Sequence, residues 1–132
     1  MKLVVDMPWE KDLTHNHCNM GPQGNWHLKP HVEAWMELLG WELLIKYGYY
    51  GYWQEIAKTF ANGCSIRVDF RFPDKHRRDD HNYHKVICDA VARQLGIDDQ
   101  HIRISTASVV IDRSNPGFTI EVSDERPSSR TS

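Results

Sequence analysis

The stretch 66–95 carries two different periods of apolar residues in direct succession. Apolar and polar residues first alternate, which predicts a strand with one buried face. Its apolar members are Ile66, Val68, Phe70 and Phe72. After Pro73 and a basic loop, apolar residues recur at spacing four, as on the buried stripe of a helix. They are Tyr83, Ile87, Val91 and Leu95, and Gly96 is a natural residue to end the helix. This part of the chain therefore predicts a strand, a loop and a helix in that order.

Before this unit, the pattern predicts one more strand and a helical region. Lys2–Met7 is a short apolar run that Pro8 stops, so it predicts a strand. Residues 9–30 have little periodicity and several Gly and Pro, which predicts a long loop. Residues 31–47 carry a helical stripe, and a helical pattern resumes over 53–60 after a tyrosine-rich interruption. The many aromatic rings here could stack on unpaired bases, although a core or a subunit interface is the more frequent use.

The last part of the chain predicts a β-hairpin. Its first strand, residues 102–111, alternates in two phases, which suggests a bulge near Thr106. Residues 113–117 predict a turn, and 118–122 predict the returning, antiparallel strand. The order β-α-β-α-β-β predicts a single α+β domain with a mixed sheet over residues 1–122. Residues 123–132 are polar and rich in Pro and Ser, which predicts a disordered tail.

Composition limits the classes of protein to consider. The net charge is −2 with eight His, which argues mildly against tight DNA binding by a monomer. Basic residues are nevertheless concentrated over Lys75–Arg78. Three Cys without paired spacing argue against a disulfide scaffold and for a reducing compartment, where Cys64 and Cys88 would be small buried residues. No apolar run approaches the ~20 residues of a membrane span, and the first strand begins almost at Met1. We expect a cytoplasmic protein without a membrane partner.

Chemistry-bearing side chains concentrate around the predicted helix 83–95. The basic run leads into Asp79-Asp80-His81-Asn82, and Asp98-Asp99 follows the helix. Carboxylates and imidazoles can hold a divalent cation, and the preceding cations could hold a phosphodiester beside it. A simpler interpretation is also open for each residue. Asp79 or Asp80 could cap the helix, Asp98-Asp99 could form a turn, and Lys85 could pair with Asp89 on the helix surface.

In this order, the residues resemble the RusA-type Holliday junction resolvases. That family carries an Arg-rich run, an Asp-x-Asp-Asn motif, a Lys four residues after the second Asp, an internal Asp-Ala and a final hydrophobic-Asp-Asp. The matching residues here are Arg77-Arg78, Asp79-Asp80-His81-Asn82, Lys85, Asp89-Ala90 and Ile97-Asp98-Asp99. The chain departs from the family at His81, which stands where the motif has its second Asp.

The resemblance implies a metal-dependent endodeoxyribonuclease that acts as a homodimer and resolves four-way DNA junctions. It implies that Asp79, His81 and Asp99 hold Mg²⁺ or Mn²⁺, with Asp98 or Asp80 as a further ligand. Lys85 would stabilise the reacting phosphate or orient the nucleophile. The implied DNA contacts are Lys75, Arg77, Arg78, Asn16 and Asn82.

The spacing of these ligands raises a geometric difficulty. A helix of about fourteen residues is ~20 Å long, so Asp79 and Asp99 lie at opposite ends of it. They could meet across a two-fold axis between subunits, or within one subunit if the loop after the helix curves back. The sequence leaves both arrangements open.

Two functions of other classes also fit the sequence. One is a junction-binding protein that has lost cleavage through His81. The other is an interaction module built on the aromatic helix and the His15-Asn16-His17-Cys18 loop, which could bind zinc. Metal-dependent cleavage of a junction would distinguish the nuclease from the junction-binding protein. Zinc uptake without junction binding would favour the interaction module.

Overall fold

A computed structural model describes residues 1–22, 24–48 and 51–124 of the chain. It contains six strands and three α-helices over these ranges. The strands are β1 (Lys2–Pro8), β2 (Asn19–Met20), β3 (His27–Leu28), β4 (Cys64–Phe72), β5 (Ile102–Ile111) and β6 (Gly117–Ser123). The helices are α1 (Pro30–Tyr47), α2 (Tyr52–Thr59) and α3 (His81–Leu95), and a 3-10 turn spans Asp99–His101.

Four strands form one mixed sheet in the order β1-β6-β4-β5. β4 and β5 are parallel and are joined through α3, whereas β6 is antiparallel to both β1 and β4. β2 and β3 form a separate two-stranded ribbon inside the predicted long loop. The chain is therefore a small single-domain α+β fold with a mixed sheet, as its pattern predicts.

The predicted hairpin between the last two strands is wrong. β6 does not pair with β5; it lies between β1 and β4, with Ile120 opposite both Val5 and Val68. The short crossover through α3 places β5 on one side of β4, so the other side remains for β6. Residues 112–116 carry the chain past the end of β4, where Arg71 Nε donates to the Asn115 carbonyl oxygen at 2.9 Å.

Burial explains why β6 rather than β5 is central. Phe118, Ile120 and Val122 have no exposed surface, so β6 contributes a full row of side chains to the core. The end of β5 is exposed by about half at Val109, Val110 and Ile111. A central position buries the side chains of β6 and pairs both edges of the strand.

The bulge predicted near Thr106 is confirmed. Thr106 lies opposite Val68 in the parallel pair, and Ser108 lies opposite the next residue, Asp69. Ala107 is thus the extra residue, which reverses the alternation of β5 beyond this point. The bulge explains why residues 102–111 alternate in two phases.

An aromatic cluster joins the sheet to α3 and to the loop after β1. Trp9 stacks on Phe118 at a centroid distance of 5.6 Å and also contacts Phe72 and Tyr83. Phe70 packs edge-on against Tyr83 of α3. Because these rings fix the first turn of α3 on the sheet, they also position the side chains that this turn carries.

The remaining aromatic residues divide between the core and the surface. Trp35 is buried, and Trp53 is partly buried with its ring N–H donating to the Gln94 carbonyl oxygen at 3.3 Å. Trp26, Trp41 and Tyr52 are exposed by 60% or more. The core part of the expectation is therefore correct for Trp35 and Trp53, the interface part stays a prediction for Trp41 and Tyr52, and Tyr49 and Tyr50 lie outside the described residues.

Three other expectations can be compared with the structure. Cys18, Cys64 and Cys88 are buried and form no disulfide among the described residues, which confirms the packing role expected for Cys64 and Cys88. Ser123 belongs to β6, so the predicted tail begins too early; residues 125–132 lie outside the described ranges. No described helix has both the length and the hydropathy to cross a membrane.

Candidate functional site

The loop between β4 and α3 delivers a group of polar side chains to the first turn of the helix. Asp79 Oδ1 accepts a hydrogen bond from the backbone N–H of His81, the first residue of α3, at 3.0 Å. The first N–H groups of a helix have no partner inside it, so this carboxylate stabilises the helix start. Asp79 therefore has the capping role that its sequence position allowed.

Asp80, His81 and His84 form a triad whose ligand-type atoms all lie within 4.8 Å of one another. Helical spacing brings them together, because residues three and four apart are neighbours on one side of a helix. The centroids of the two imidazole rings are 4.9 Å apart, and His81 Nε2 is 3.9 Å from Asp80 Oδ2. Among the described residues, this triad is the one group of three or more such side chains that could hold a metal ion.

Thr106 of β5 contacts two members of the triad. Its hydroxyl donates a short hydrogen bond to Asp80 Oδ2, and its oxygen lies 2.8 Å from His84 Nε2. Since the hydroxyl proton is directed at Asp80, the hydrogen bond with His84 needs the imidazole N–H as its donor. Burial, and then the neighbouring His81, lower the pKa of His84 below its ordinary value. A lowered pKa favours the neutral imidazole, which is the form that binds metals.

The structure does not bring the predicted ligands Asp79, His81 and Asp99 together within one chain. Asp99 lines a different open cleft, of about 640 Å³, together with Lys85 and Asp89. Asp99 lies beyond the end of α3, which has fifteen residues and is about 22 Å long, whereas Asp79 and His81 lie at its start. The arrangement across two subunits stays a prediction. Of the predicted ligands, His81 and the alternative further ligand Asp80 belong to the triad.

Two further predicted residues have local partners. Asp98 accepts the backbone N–H of Gln100 at 3.1 Å, which makes it a turn residue. Lys85 Nζ lies 3.1 Å from Asp89 Oδ2, and this hydrogen bond raises the pKa of Lys85. Both contacts match the simpler interpretations. The carboxylate of Asp99, which lines the same cleft, is exposed and has no hydrogen bond among the described contacts.

A second open cleft, of about 420 Å³, lies on the other side of the α3 start. It brings the predicted DNA contacts Asn16, Arg77 and Asn82 together with Lys11. His15 of the long loop donates its backbone N–H to the Asn82 carbonyl oxygen at 3.0 Å, so the loop is attached to the helix. Lys75 is exposed and does not line this cleft.

Arg78 also borders this cleft, but its guanidinium group is already bound by the protein. Nη1 lies 2.6 Å from Asp74 Oδ1, and the guanidinium carbon lies 5.1 Å from the ring centre of Trp9 and 5.4 Å from that of Phe72. The hydrogen bond from Arg78 holds the pKa of Asp74 well below its usual range. Arg78 therefore anchors the loop, whereas Arg77 is exposed in the cleft.

Within the described part of the chain, the His-rich loop of residues 15–18 does not form a three-ligand group. Cys18 is buried and its thiol points to the His15 carbonyl oxygen, while His17 Nδ1 lies 2.8 Å from Thr14 Oγ1. Burial raises the pKa of Cys18, which disfavours the thiolate that zinc binds. Among the described residues, this loop therefore offers no counterpart to the triad of α3.

Sequence reasoning missed His84 and Thr106 in the triad and Lys11 in the cleft. A signal for His84 was present, since it stands four residues after Asp80 and three after His81. Thr106 carried no such signal, because its contact with Asp80 spans 26 residues.

No model of a known protein family matches the chain, and no curated protein matches it. The site assignments therefore rest on the residues described above.

Proposed function

We propose that this protein is a metal-dependent endodeoxyribonuclease that resolves four-way DNA junctions, similar to the RusA-type resolvases. One observation carries the proposal. The triad that could hold a cation and the cleft with Lys11 and Arg77 share the first turn of α3, where His81 and Asn82 are consecutive residues. Metal-assisted hydrolysis of a phosphodiester needs a bound cation and a bound phosphate side by side, and this turn supplies groups for both.

The chain's own residues would hold the DNA backbone. Lys11 and Arg77 provide positive charge for phosphate oxygens, and the amides of Asn16 and Asn82 provide hydrogen-bond donors in the same cleft. Such contacts orient the backbone without reading base sequence, which suits an enzyme that recognises the shape of a junction.

The cation would be held by Asp80, His81 and His84. The resemblance to the RusA-type resolvases implies Mg²⁺ or Mn²⁺ as the ion used in cleavage. When bound, a divalent cation facilitates deprotonation of water and offsets charge on the scissile phosphate. Lys85 lies one helical turn beyond His81 and is exposed. Its pairing with Asp89 is a surface contact between residues four apart, worth about 0.3–0.5 kcal/mol, so Lys85 can leave it for a phosphate at little cost.

The proposal includes a homodimer. A four-way junction has two strands to cut, and a two-fold dimer offers two sites in matching orientation. The same symmetry could bring Asp99 of one subunit towards the site at the α3 start of the other. Resolution would then be a pair of cuts made by two identical sites.

The test is cleavage of a synthetic four-way junction with Mg²⁺, with Mn²⁺ and with a chelator. We expect Asp80→Asn to abolish nicking while junction binding in a gel shift persists, because a ligand charge is lost but phosphate repulsion falls. Asp79→Asn and Asp99→Asn test in the same way the ligand set that the resemblance implies. Glu55→Gln on α2 is the matched control and should cut normally. Full activity of the Asp80 variant would overturn the assignment of the metal site.

A junction-binding protein without cleavage is the second candidate. The observation that favours it is the separation of the carboxylates, since Asp79 caps α3 and Asp99 lines the other cleft. Binding of junctions without nicking in any divalent metal would select this alternative.

A further inference from the structure

We propose that Asp80, His81 and His84 bind a first-row transition-metal ion of the Zn²⁺ class in preference to Mg²⁺, and that Thr106 positions two of these ligands. The triad supplies two imidazoles and one carboxylate. This inference goes beyond the nuclease proposal and does not depend on it, because metal binding is measured without DNA.

The chemistry of the ligands selects the class of ion. Mg²⁺ prefers six oxygen ligands in an octahedron and gives up its water reluctantly. Imidazole nitrogen suits Zn²⁺ and the other late first-row ions, and two of the three ligands here are imidazoles. Three protein ligands leave one coordination position open in a tetrahedral site, as in catalytic zinc sites.

The distances are close to those that such an ion requires. Zinc–nitrogen bonds are about 2.0–2.1 Å, so two ligand atoms of one ion are at most about 4 Å apart. The triad atoms lie within 4.8 Å, and His81 Nε2 is already 3.9 Å from Asp80 Oδ2. The His81 side chain is 76% exposed, so it can rotate towards the other two without disturbing the core.

The other two ligands are held in place before any ion binds. His84 is only 9% exposed and is packed between α3 and β5, where its ring lies near Phe70. The Thr106 hydroxyl group bonds both His84 and Asp80, so one side chain of β5 fixes two ligands of α3. Contacts of this kind orient the ligands, and losing one typically costs 10–100-fold in metal affinity. Thr106 is therefore a positioning residue.

The experiment is calorimetric titration of untagged, chelator-treated protein with ZnCl₂ and separately with MgCl₂. We expect one zinc ion per chain and an affinity for Mg²⁺ at least about a hundredfold weaker, as the nitrogen ligands dictate. Titration with CoCl₂, followed by its visible absorption bands, should report a four- or five-coordinate site containing nitrogen. Failure to bind zinc, or equal affinity for zinc and magnesium, would overturn the inference.

Variants assign the site to its residues. His81→Ala changes an exposed side chain, so it should fold normally and lower zinc affinity at least about tenfold. Thr106→Val should lower the affinity by about 10–100-fold, and Thr106→Ser, which restores the hydroxyl, should recover most of it. The matched control is His17→Ala, which alters the other His-rich segment and should leave binding unchanged. Loss of zinc in His17→Ala with retention in His81→Ala would move the site to the loop and refute the proposal.

The two proposals fail in different ways. Zinc binding at the triad without junction cleavage in any metal overturns the nuclease and supports this inference. Cleavage that depends on Mg²⁺, with no zinc bound and no effect of His84→Gln on activity, overturns this inference and leaves the nuclease standing.

Discussion

Arg77 and Arg78 are neighbours in the sequence but have different environments. Arg77 is exposed in the cleft, whereas the Arg78 side chain is 19% exposed between Trp9 and Phe72 and pairs with Asp74. We expect Arg78→Ala to lower the free energy of unfolding by about 1 kcal/mol through lost cation–π and packing contacts.

Arg77→Ala is the matched substitution and should change the free energy of unfolding by less than about 0.5 kcal/mol relative to the wild type. It should instead weaken binding to DNA of any sequence. The slope of log affinity against log salt concentration should fall by about one, which corresponds to one lost phosphate contact. Urea unfolding and a salt series of gel shifts measure the two effects. Equal losses of stability in both variants would contradict the anchoring role of Arg78.

Asp74 makes stability depend on pH in the acid range. Its pKa is lowered in the folded protein by the hydrogen bond from Arg78 and then by the backbone N–H of His76. A lowered pKa stabilises the fold above the unfolded value of about 3.9, and this contribution is lost as pH falls through the folded pKa. We therefore expect the free energy of unfolding to decrease below about pH 4, with a flatter profile in Asp74→Asn.

Denaturation curves between neutral and strongly acid pH test this expectation. Arg78→Ala removes the main cause of the lowered pKa, so it should flatten the same pH window as Asp74→Asn. A wild-type slope in both variants would show that other carboxylates control the acid range.

At the scale of the element, α3 depends on how it ends as well as on how it begins. Gly96 adopts a left-handed conformation with φ of 71°, and its N–H donates to the Ala92 carbonyl oxygen at 2.8 Å. This turn directs the chain to Asp98 and to the cleft containing Asp99. An added Cβ would meet no atom within 4 Å, so the cost of a substitution comes from the backbone conformation alone.

We expect Gly96→Ala to lower the free energy of unfolding by about 1 kcal/mol, because L-residues disfavour the left-handed region. Gly96→Asn should recover part of the loss, since Asn tolerates this conformation better than Ala. Denaturant titration of the three proteins measures the difference. An alanine variant as stable as the wild type would mean that the helix end readjusts without the left-handed residue.

At the scale of the whole molecule, the surface carries apolar side chains that the single chain does not cover. Trp41 and Ile45 on α1 are 60% and 74% exposed, and Val109 and Ile111 on β5 are about half exposed. Exposed apolar surface of this kind often marks an interaction site. It is consistent with the homodimer proposed above.

Sedimentation at micromolar concentration should therefore give twice the chain mass of 15.4 kDa. The dimer should persist without DNA and without metal, because apolar contacts rather than a shared ion would hold it. A strictly monomeric protein that still makes paired cuts in a junction would contradict this prediction.

Much of the fold was predictable because its signals are local. The alternation in 66–72 and the fourfold spacing in 83–95 correspond to β4 and α3, and Gly96 ends the helix where its position indicated. The candidate site was predictable only in part. His81 belongs to the triad and Arg77 to the cleft, but Arg78 anchors the loop and Asp99 lies elsewhere.

The sequence by itself determined which segments become strands and helices, since the periods of apolar residues and the turn residues act within a few positions. The tertiary structure decided the order of the strands. The central position of β6 depends on how much surface β5 and β6 each bury in the folded chain, and no local pattern reports that quantity. The tertiary structure also decided that Asp80 rather than Asp79 faces His84, since Asp79 caps the helix and Thr106 reaches Asp80 from β5. Hydrogen bonds between distant segments have no periodic signature, so contacts of this kind follow only from the folded chain.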